Sequence, residues 1–266
     1  MRIPLLALAP ALGLAALAVP CLAQLAGPND AGVSMGHLHL TVRGLADHRP
    51  LWVDGLGAVP VKFGTMEAYK FPDVLVFLRQ GNPSGGSDGS TVNHLGFKVK
   101  DIQKALDKFT AAGGKLIREM PATRQAFIQF PDDVKVELSE DAGMSAPIAH
   151  HHVHFYSATV EDTRDWYVKT FSAKSGRRGR FEAADLPGVN LSFSPAESQP
   201  APTKGRSVDH IGFEVRDLEG FCKKLEAAGV KFDIPYRKVP ALGIAVAFFT
   251  DPWGTYIELT EGLGRL

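Results

Sequence analysis

Two segments of the chain share a pattern of histidine, glycine and alternating apolar residues, and this repeat restricts the fold more than any other feature. They read VNHLGFKVKDI at residues 92–102 and VDHIGFEVRDL at residues 208–218. Alternation predicts a strand with one buried face, and the aspartate that follows is a helix N-cap before an apolar pattern of helical period. His94 and His210 therefore lie at matched places on the polar faces of two strands.

A second matched pair follows downstream of these segments. The sequences FPDDVKVEL at residues 130–138 and FFTDPWGTYIEL at residues 248–259 both predict a turn and then a strand. Glu137 and Glu258 alternate onto the polar faces of these last strands. A histidine and a glutamate thus recur together, and such a repeat indicates duplicated architecture.

The openings of the two halves also match. GHLHLTV at residues 36–42 and HHHVHFYSA at residues 150–158 both place histidines on one strand face. His37 and His152 stand at the same distance before an aromatic residue of the next helix, Trp52 or Tyr167. The sequence therefore predicts four units of one kind, each a strand, a helix and further strands.

These motifs resemble the vicinal oxygen chelate superfamily, which includes glyoxalase I, bleomycin resistance proteins and extradiol dioxygenases. The resemblance covers nearly all of the chain after its N-terminus and implies an α+β fold of four βαβββ modules paired into two domains. We assign residues 35–142 and 150–262 to these domains and 143–149 to a linker. Residues 24–34 form an N-terminal segment.

The resemblance also implies metal ligands on the first strands of two modules and on a last strand. Those places hold His152, His210 and Glu258 in the second half, and His37, His94 and Glu137 in the first. Two imidazoles and one carboxylate leave coordination positions open; they favour Fe(II), with Mn, Zn, Ni or Co as alternatives. Because the connectors at 81–90 and 198–207 are short, we expect each site to form within one half. The alternative is a swapped site in which His37 meets His210 and Glu258.

The sequence departs from both enzyme types in the superfamily. Glyoxalase I-like sites usually take a second carboxylate from another last strand, where this chain has Asn190 and Ser192. Extradiol dioxygenases usually carry a histidine there and a tyrosine about ten residues before the ligand glutamate, a region that holds Phe248 and Phe249 here. Oxygenase and lyase or isomerase chemistry both stay open. A bleomycin-resistance-like binding protein is the non-catalytic alternative.

Several further residues bear on chemistry. His154 and Tyr256 are the candidate acid or base groups of the second half, and Phe248, Phe249 and Trp253 are candidates for an apolar wall around an aromatic or hydrophobic substrate. Lys135 precedes Glu137 by two residues on the same face, so we expect the first-half site to bind metal more weakly. We expect a small-molecule substrate, and the resemblance is compatible with a homo-oligomer.

Residues 1–23 predict a secretory signal peptide, with Arg2 before a long apolar run and a small-residue cleavage site. A single membrane anchor is the alternative. Cleavage predicts a periplasmic or secreted protein with no membrane segment left. The whole chain carries 29 Lys and Arg against 29 Asp and Glu, so no basic surface indicates a nucleic-acid partner.

Overall fold

The computed structural model describes residues 24–266, so the predicted signal peptide lies outside the described residues. The described chain repeats one module four times, each a strand, a helix and three further strands. This confirms the predicted α+β fold of four βαβββ modules. Within residues 24–266, no helix is long and apolar enough to cross a membrane.

The elements of each module are as follows. The first contains β1 (Val33–Val42), α1 (Leu45–Pro50), β2 (Val59–Phe63), β3 (Met66–Phe71) and β4 (Val74–Gln80). The second contains β5 (Val92–Val99), α2 (Ile102–Ala111), β6 (Lys115–Met120), β7 (Gln125–Phe130) and β8 (Val134–Glu140). The third contains β9 (Ile148–Ser157), α3 (Val160–Phe171), β10 (Lys174–Arg178), β11 (Phe181–Leu186) and β12 (Val189–Pro195). The fourth contains β13 (Val208–Val215), α4 (Leu218–Ala227), β14 (Phe232–Val239), β15 (Ile244–Thr250) and β16 (Tyr256–Glu261). A π-helical turn, Leu51–Gly55, continues α1.

Local sequence signals set the helix ends as predicted. The side chain of Asp217 accepts a hydrogen bond from the backbone N–H of Gly220 at the start of α4. Asp101 does the same for Lys104 in α2. Gly229 follows α4 with φ +91°, a left-handed conformation that glycine adopts without a steric penalty.

The modules pair across the two halves of the sequence. The first and fourth modules form one eight-stranded sheet, in the order β14-β15-β16-β13-β1-β4-β3-β2. The second and third form the other, in the order β10-β11-β12-β9-β5-β8-β7-β6. The prediction that each site forms within one half is therefore wrong, because residues 35–142 and 150–262 each give one module to each sheet.

The connectors explain why the pairing crosses the halves. Residues 81–90 and 198–207 run side by side, and the backbone N–H of Ser84 donates to the carbonyl of Gly205 at 2.8 Å. The N–H of Ser207 donates to the carbonyl of Gly85 at 2.9 Å. Each connector thus carries the chain from one sheet to the other, while the linker around residues 143–149 joins β8 to β9 within one sheet. The short length of a connector does not show whether it joins strands of one sheet or crosses to the other sheet.

The helices and the apolar faces of both sheets share one core. Trp52 of the first module stacks on Phe130 of the second, with ring centroids 4.2 Å apart. Phe171 at the end of α3 packs on Phe213 of β13 at 4.6 Å. Because side chains alternate along each strand, the polar faces point away from this core. Each sheet therefore presents one concave polar face, which we call a cup.

A buried hydrogen bond ties the third module to the fourth. The hydroxyl of Tyr167 on α3 donates to Oδ2 of Asp251 at 2.9 Å. We expect Tyr167→Phe to lower the free energy of unfolding by about 1–3 kcal/mol, because the buried carboxylate loses a donor. Chemical denaturation should show this loss. Tyr236→Phe, at a half-buried tyrosine of β14, is the control and should change stability by less than about 0.5 kcal/mol.

Candidate metal centres

Three predicted ligands meet in the cup of the sheet formed by the first and fourth modules. Nε2 of His37 and Nε2 of His210 each lie 2.9 Å from Oε2 of Glu258. All three residues are buried. We call this cluster, together with His39, the Glu258 cup. It is the swapped arrangement, so the prediction that His152 shares a site with Glu258 is wrong.

Strand register brings the Glu258 cup together. Antiparallel pairing of β1 with β13 sets His39 opposite His210 and His37 opposite Gly212. Parallel pairing of β13 with β16 sets Gly212 beside Glu258. The imidazole of His37 occupies the space over Gly212, where an added Cβ would lie 2.0 Å from Cε1. The glycine two residues after the histidine is thus a requirement of the site.

His39 adds a third imidazole to the Glu258 cup. Its Nε2 is buried and has no hydrogen-bond partner in the described structure. Its ring centroid lies 4.4 Å from that of His210. Burial, together with the neighbouring His210 and His37, lowers the pKa of His39 well below its usual range. His39 is therefore neutral near pH 7, with a ring nitrogen available as a ligand or base.

Asp209 orients the neighbouring histidine. Oδ1 of Asp209 lies 2.6 Å from Nδ1 of His210, so Nδ1 donates to this carboxylate and Nε2 faces the cup. Burial lowers the pKa of His210, but Asp209 and Glu258 outweigh it and the net pKa is raised. Burial likewise raises the pKa of Glu258, yet His37 and His210 hold it well below the usual range. Glu258 is an anion at neutral pH.

These residues fit a divalent transition metal. Donor atoms that share a metal at about 2.0–2.2 Å lie roughly 3 Å apart, close to the 2.9 Å separations of the Glu258 cup. Two imidazoles and a carboxylate match zinc, iron, manganese, nickel or cobalt, whereas calcium and magnesium prefer all-oxygen sites. The buried, unpartnered Nε2 of His39 is a further donor within 4.8 Å of the others.

A largely apolar cavity of about 330 Å³ opens above the Glu258 cup. Tyr256 lies beside His210, with ring centroids 5.7 Å apart, and Arg79 and Arg237 lie on the exposed rim. Its apolar lining includes Phe63, Phe77, Leu242, Val246, Phe248 and Leu263. A small molecule bound there would be shielded from water on most sides.

The sheet of the second and third modules carries a second cluster, which we call the Glu137 cup. Nε2 of His94 lies 3.1 Å from Oε2 of Glu137, and Nε2 of His152 lies 3.5 Å from the same oxygen. His154 completes the group. Gly96 makes room for His152 as Gly212 does for His37, since an added Cβ would lie 1.9 Å from the ring.

Glu137 has two partners that Glu258 lacks. Nη2 of Arg178, from β10, lies 3.3 Å and 3.4 Å from the two carboxylate oxygens. Nε2 of Gln125 donates to Oε1 at 2.8 Å. The pKa of Glu137 is well below its usual range, because His152 and His94 outweigh the effect of burial. A guanidinium thus stands directly against the carboxylate of this cup.

Lys135, which we expected to compete with a metal for Glu137, pairs with another carboxylate instead. Nζ of Lys135 pairs with Oδ2 of Asp88 at 3.1 Å and lies 5.9 Å from the ring centroid of Phe127. The cation that contacts Glu137 is Arg178. Sequence reasoning missed Arg178 because an arginine in the edge strand KSGRR carries no periodic signal.

The other predicted residues divide between the two cups. Tyr256 lies in the Glu258 cup, while His154 lies in the Glu137 cup and bonds Ser194 at 2.8 Å, so they do not share a site as predicted. Asn190 and Ser192 pair with His152 and His154, and thus belong to the Glu137 cup.

The three candidate wall aromatics also separate. Phe248 faces the Glu258 cup, with its ring centroid 5.5 Å from that of His210. Phe249 is fully buried in the core. Trp253 packs against Trp166 and donates to Thr159 at 2.8 Å, in contact with neither cup. Of these three residues, only Phe248 therefore forms part of a cup wall.

Known proteins resemble this architecture. Residues 149–259 match the family model of the Glyoxalase/Bleomycin resistance protein/Dioxygenase superfamily, whereas no curated protein matches the sequence. Glyoxalase I from Zea mays aligns over 88% of this chain and 94% of its own, with TM-score 0.69 and 18% identity. A proposed dioxygenase from Bacillus subtilis aligns over 90% and 86%, with TM-score 0.60 and 16% identity. The fold of both halves is thus confirmed, together with the resemblance predicted from the motifs.

The glycine beneath His37 provides a test of the Glu258 cup. We expect Gly212→Ala to weaken metal binding by about tenfold or more, because the methyl group displaces the imidazole. Titration with Co²⁺, followed by its visible absorption, measures this. Gly96→Ala is the matched control, since it displaces His152 instead and should leave the Glu258 cup unchanged. Equal effects of the two variants would argue against this assignment.

Proposed function

We propose that this chain, which has the fold of the vicinal oxygen chelate superfamily and matches its family model over the second half, is a metal-dependent enzyme. The reaction would take place in the Glu258 cup, on a small and largely apolar organic molecule. One observation carries the proposal. His37, His210 and Glu258 come from distant parts of the chain, yet Nε2 of each histidine lies 2.9 Å from Oε2 of Glu258.

The ligand roles follow from the contacts. His37 and His210 would bind through Nε2 and Glu258 through Oε2, with Asp209 holding the proton of His210 on the opposite nitrogen. A divalent metal held there supplies a Lewis acid toward substrate oxygens or, if it is iron, a redox centre for dioxygen. The buried position of all three ligands favours tight retention, since competing water has little access.

His39 is the best candidate for proton transfer in this cup. Its buried Nε2, which has no hydrogen-bond partner among the described residues, would accept a proton from a substrate hydroxyl or an acidic carbon. The walls around it, including Phe77 and Phe248, would exclude water and strengthen electrostatic contacts to the substrate. The lining also favours an aromatic or otherwise apolar substrate body, and Arg237 on the rim favours an anionic group at its outer end.

The residues of β4 that face the Glu258 cup bear on the type of reaction. β4 provides the last strand of the partner module in the Glu258 cup, and its registered residues beside His37 and His39 are Leu75 and Phe77. Neither supplies the second carboxylate of a glyoxalase I-like site. A face of two histidines and one glutamate with open positions is typical of oxygen-activating Fe(II) sites, so oxygenase chemistry is the first candidate.

Lyase or isomerase chemistry is the second candidate, and His39 is the observation that favours it. With Nε2 of His39 as a fourth ligand, the site would have fewer open positions and would suit zinc or manganese. Sequestration of a ligand without turnover is the non-catalytic alternative. If residues 1–23 are a cleaved signal peptide, as the sequence predicts, the mature protein is periplasmic or secreted. Amino-terminal sequencing of the mature protein tests the cleavage after Ala23.

Elemental analysis of protein purified from its own compartment separates these candidates. We expect about one metal per chain, and iron together with binding of nitric oxide, a dioxygen analogue, supports an oxygenase. Zinc or manganese without iron would contradict the oxygenase version and support lyase chemistry. A metal content that stays below a few tenths per chain after reconstitution would favour sequestration.

Substitution of the two glutamates tests which cup works. We expect Glu258→Ala to abolish activity and to lower metal affinity by about 100-fold, because it removes the anionic ligand. Glu137→Ala should keep activity and lower the free energy of unfolding by about 3 kcal/mol, because Arg178 is left buried without its anion. Metal titration and chemical denaturation of both variants measure these effects. Loss of activity only in Glu137→Ala would reverse the assignment.

A further inference from the structure

The two cups correspond residue by residue, so their differences can be compared at matched positions. In the Glu258 cup β1 lies antiparallel to β13, and in the Glu137 cup β9 lies antiparallel to β5. The glutamate of each cup stands beside a glycine, Gly212 of β13 or Gly96 of β5. His37 thus corresponds to His152, His210 to His94, and Glu258 to Glu137. The ligand sets are equal, and any difference in metal binding must come from the surrounding residues.

Arg178 stands at the position that Phe63 occupies in the other cup. Arg178 is the last paired residue of β10 and faces Phe181 across the hairpin, while Phe63 is the last paired residue of β2 and faces Met66. Phe63 contributes an apolar wall to the Glu258 cup. Arg178 instead brings a permanent positive charge to the carboxylate of the Glu137 cup.

Other matched positions change in the same direction. Gln125, which donates to Glu137 at 2.8 Å, pairs with Ser139 in the register where Val246 pairs with Thr260. Asn93 lies 2.9 Å from Nδ1 of His94, where His210 has the carboxylate of Asp209. A neutral amide orients a histidine but adds no negative charge. The Glu137 cup therefore lacks the carboxylate that contacts His210 and has a guanidinium against its ligand glutamate.

We infer that the guanidinium of Arg178 serves as the built-in cation of the Glu137 cup and excludes a metal from it. The inference rests on the proposed metal site in the Glu258 cup, and it predicts one metal per chain although the sequence repeats the ligands twice. Arg178 contacts both oxygens of Glu137 at 3.3 Å and 3.4 Å, and its side chain is 19% exposed. A divalent ion bound to the same carboxylate would lie within a few ångströms of this charge in a poorly hydrated cup, where repulsion is weakly screened.

The geometry also indicates what the second cluster does instead. Arg178 belongs to β10, at the outer edge of the sheet, and Glu137 belongs to β8, on the far side of the central β9–β5 pair. Their ion pair spans the cup from the edge strand β10 to the interior strand β8 and joins the second module to the third. The Glu137 cup thus acts as a structural clamp.

Metal stoichiometry of Arg178 variants tests the inference. With Co²⁺ as the probe, we expect wild-type protein to bind one ion per chain and Arg178→Met to bind a second, with at least about tenfold tighter occupancy of the Glu137 cup than in the wild type. The added ion should disappear in the Arg178→Met, Glu137→Gln double variant. Arg178→Lys retains a cation and should stay at one ion.

The same titration carries the contradicting results. Two ions bound with similar affinity by the wild type, of which one is lost in Glu137→Gln, would overturn the inference while leaving the Glu258 cup intact. A folded Arg178→Met protein that still binds one ion would overturn it as well. If Arg178→Met does not fold, the Glu258→Gln variant decides. We expect it to bind no ion, and one retained ion would show that the Glu137 cup accepts metal.

A wild-type protein that binds no ion would contradict the proposed function rather than this inference. A gain of one ion in Arg178→Met would then still support the role of Arg178.

Discussion

The pairing of β1 with β13 is the interaction on which the rest of the structure depends. It joins the first and fourth modules at the centre of one sheet and sets His37 over Gly212. Without it, His210 and Glu258 would form an incomplete site with one imidazole. The same geometry between β5 and β9 completes the other cup. Each cup is therefore a product of long-range strand pairing, and ligand geometry depends on the stability of the whole fold.

Because strand pairing fixes the ligands in both cups, two equal ligand sets can differ in function only through the residues around them. The strands fix the backbone positions of the histidines and glutamates, so the chemistry of each cup is set by residues on the flanking hairpins. Phe63 and Val246 contribute apolar walls to one cup, where the ionic partners of Glu258 among residues 24–266 are His37 and His210. Arg178 and Gln125 make the other cup polar and satisfy Glu137 internally. The shared strand frame and the different flanking residues are consistent with different roles for the two cups.

Sequence patterns predicted the modules well because their signals are local. Strand alternation, the N-caps Asp101 and Asp217, and the glycine stops all act within a few residues, and the six matched histidines and glutamates follow from them. The pairing of modules was predicted wrongly because it depends on hydrogen bonds between two connectors far apart in sequence. Arg178 was missed for a related reason, since its partner Glu137 is brought near only by the sheet. The glycine of each HxG motif carried a signal that becomes interpretable once the opposite strand is known.

The central claim is that residues from both ends of the chain hold a single metal in the Glu258 cup. Anomalous X-ray scattering from crystals grown with Co²⁺ tests it most directly, because each bound ion appears as a peak at a defined position. The account predicts one strong peak between His37, His210 and Glu258, with Arg178 still against Glu137. A peak of equal height beside Glu137, or none beside Glu258, would contradict it.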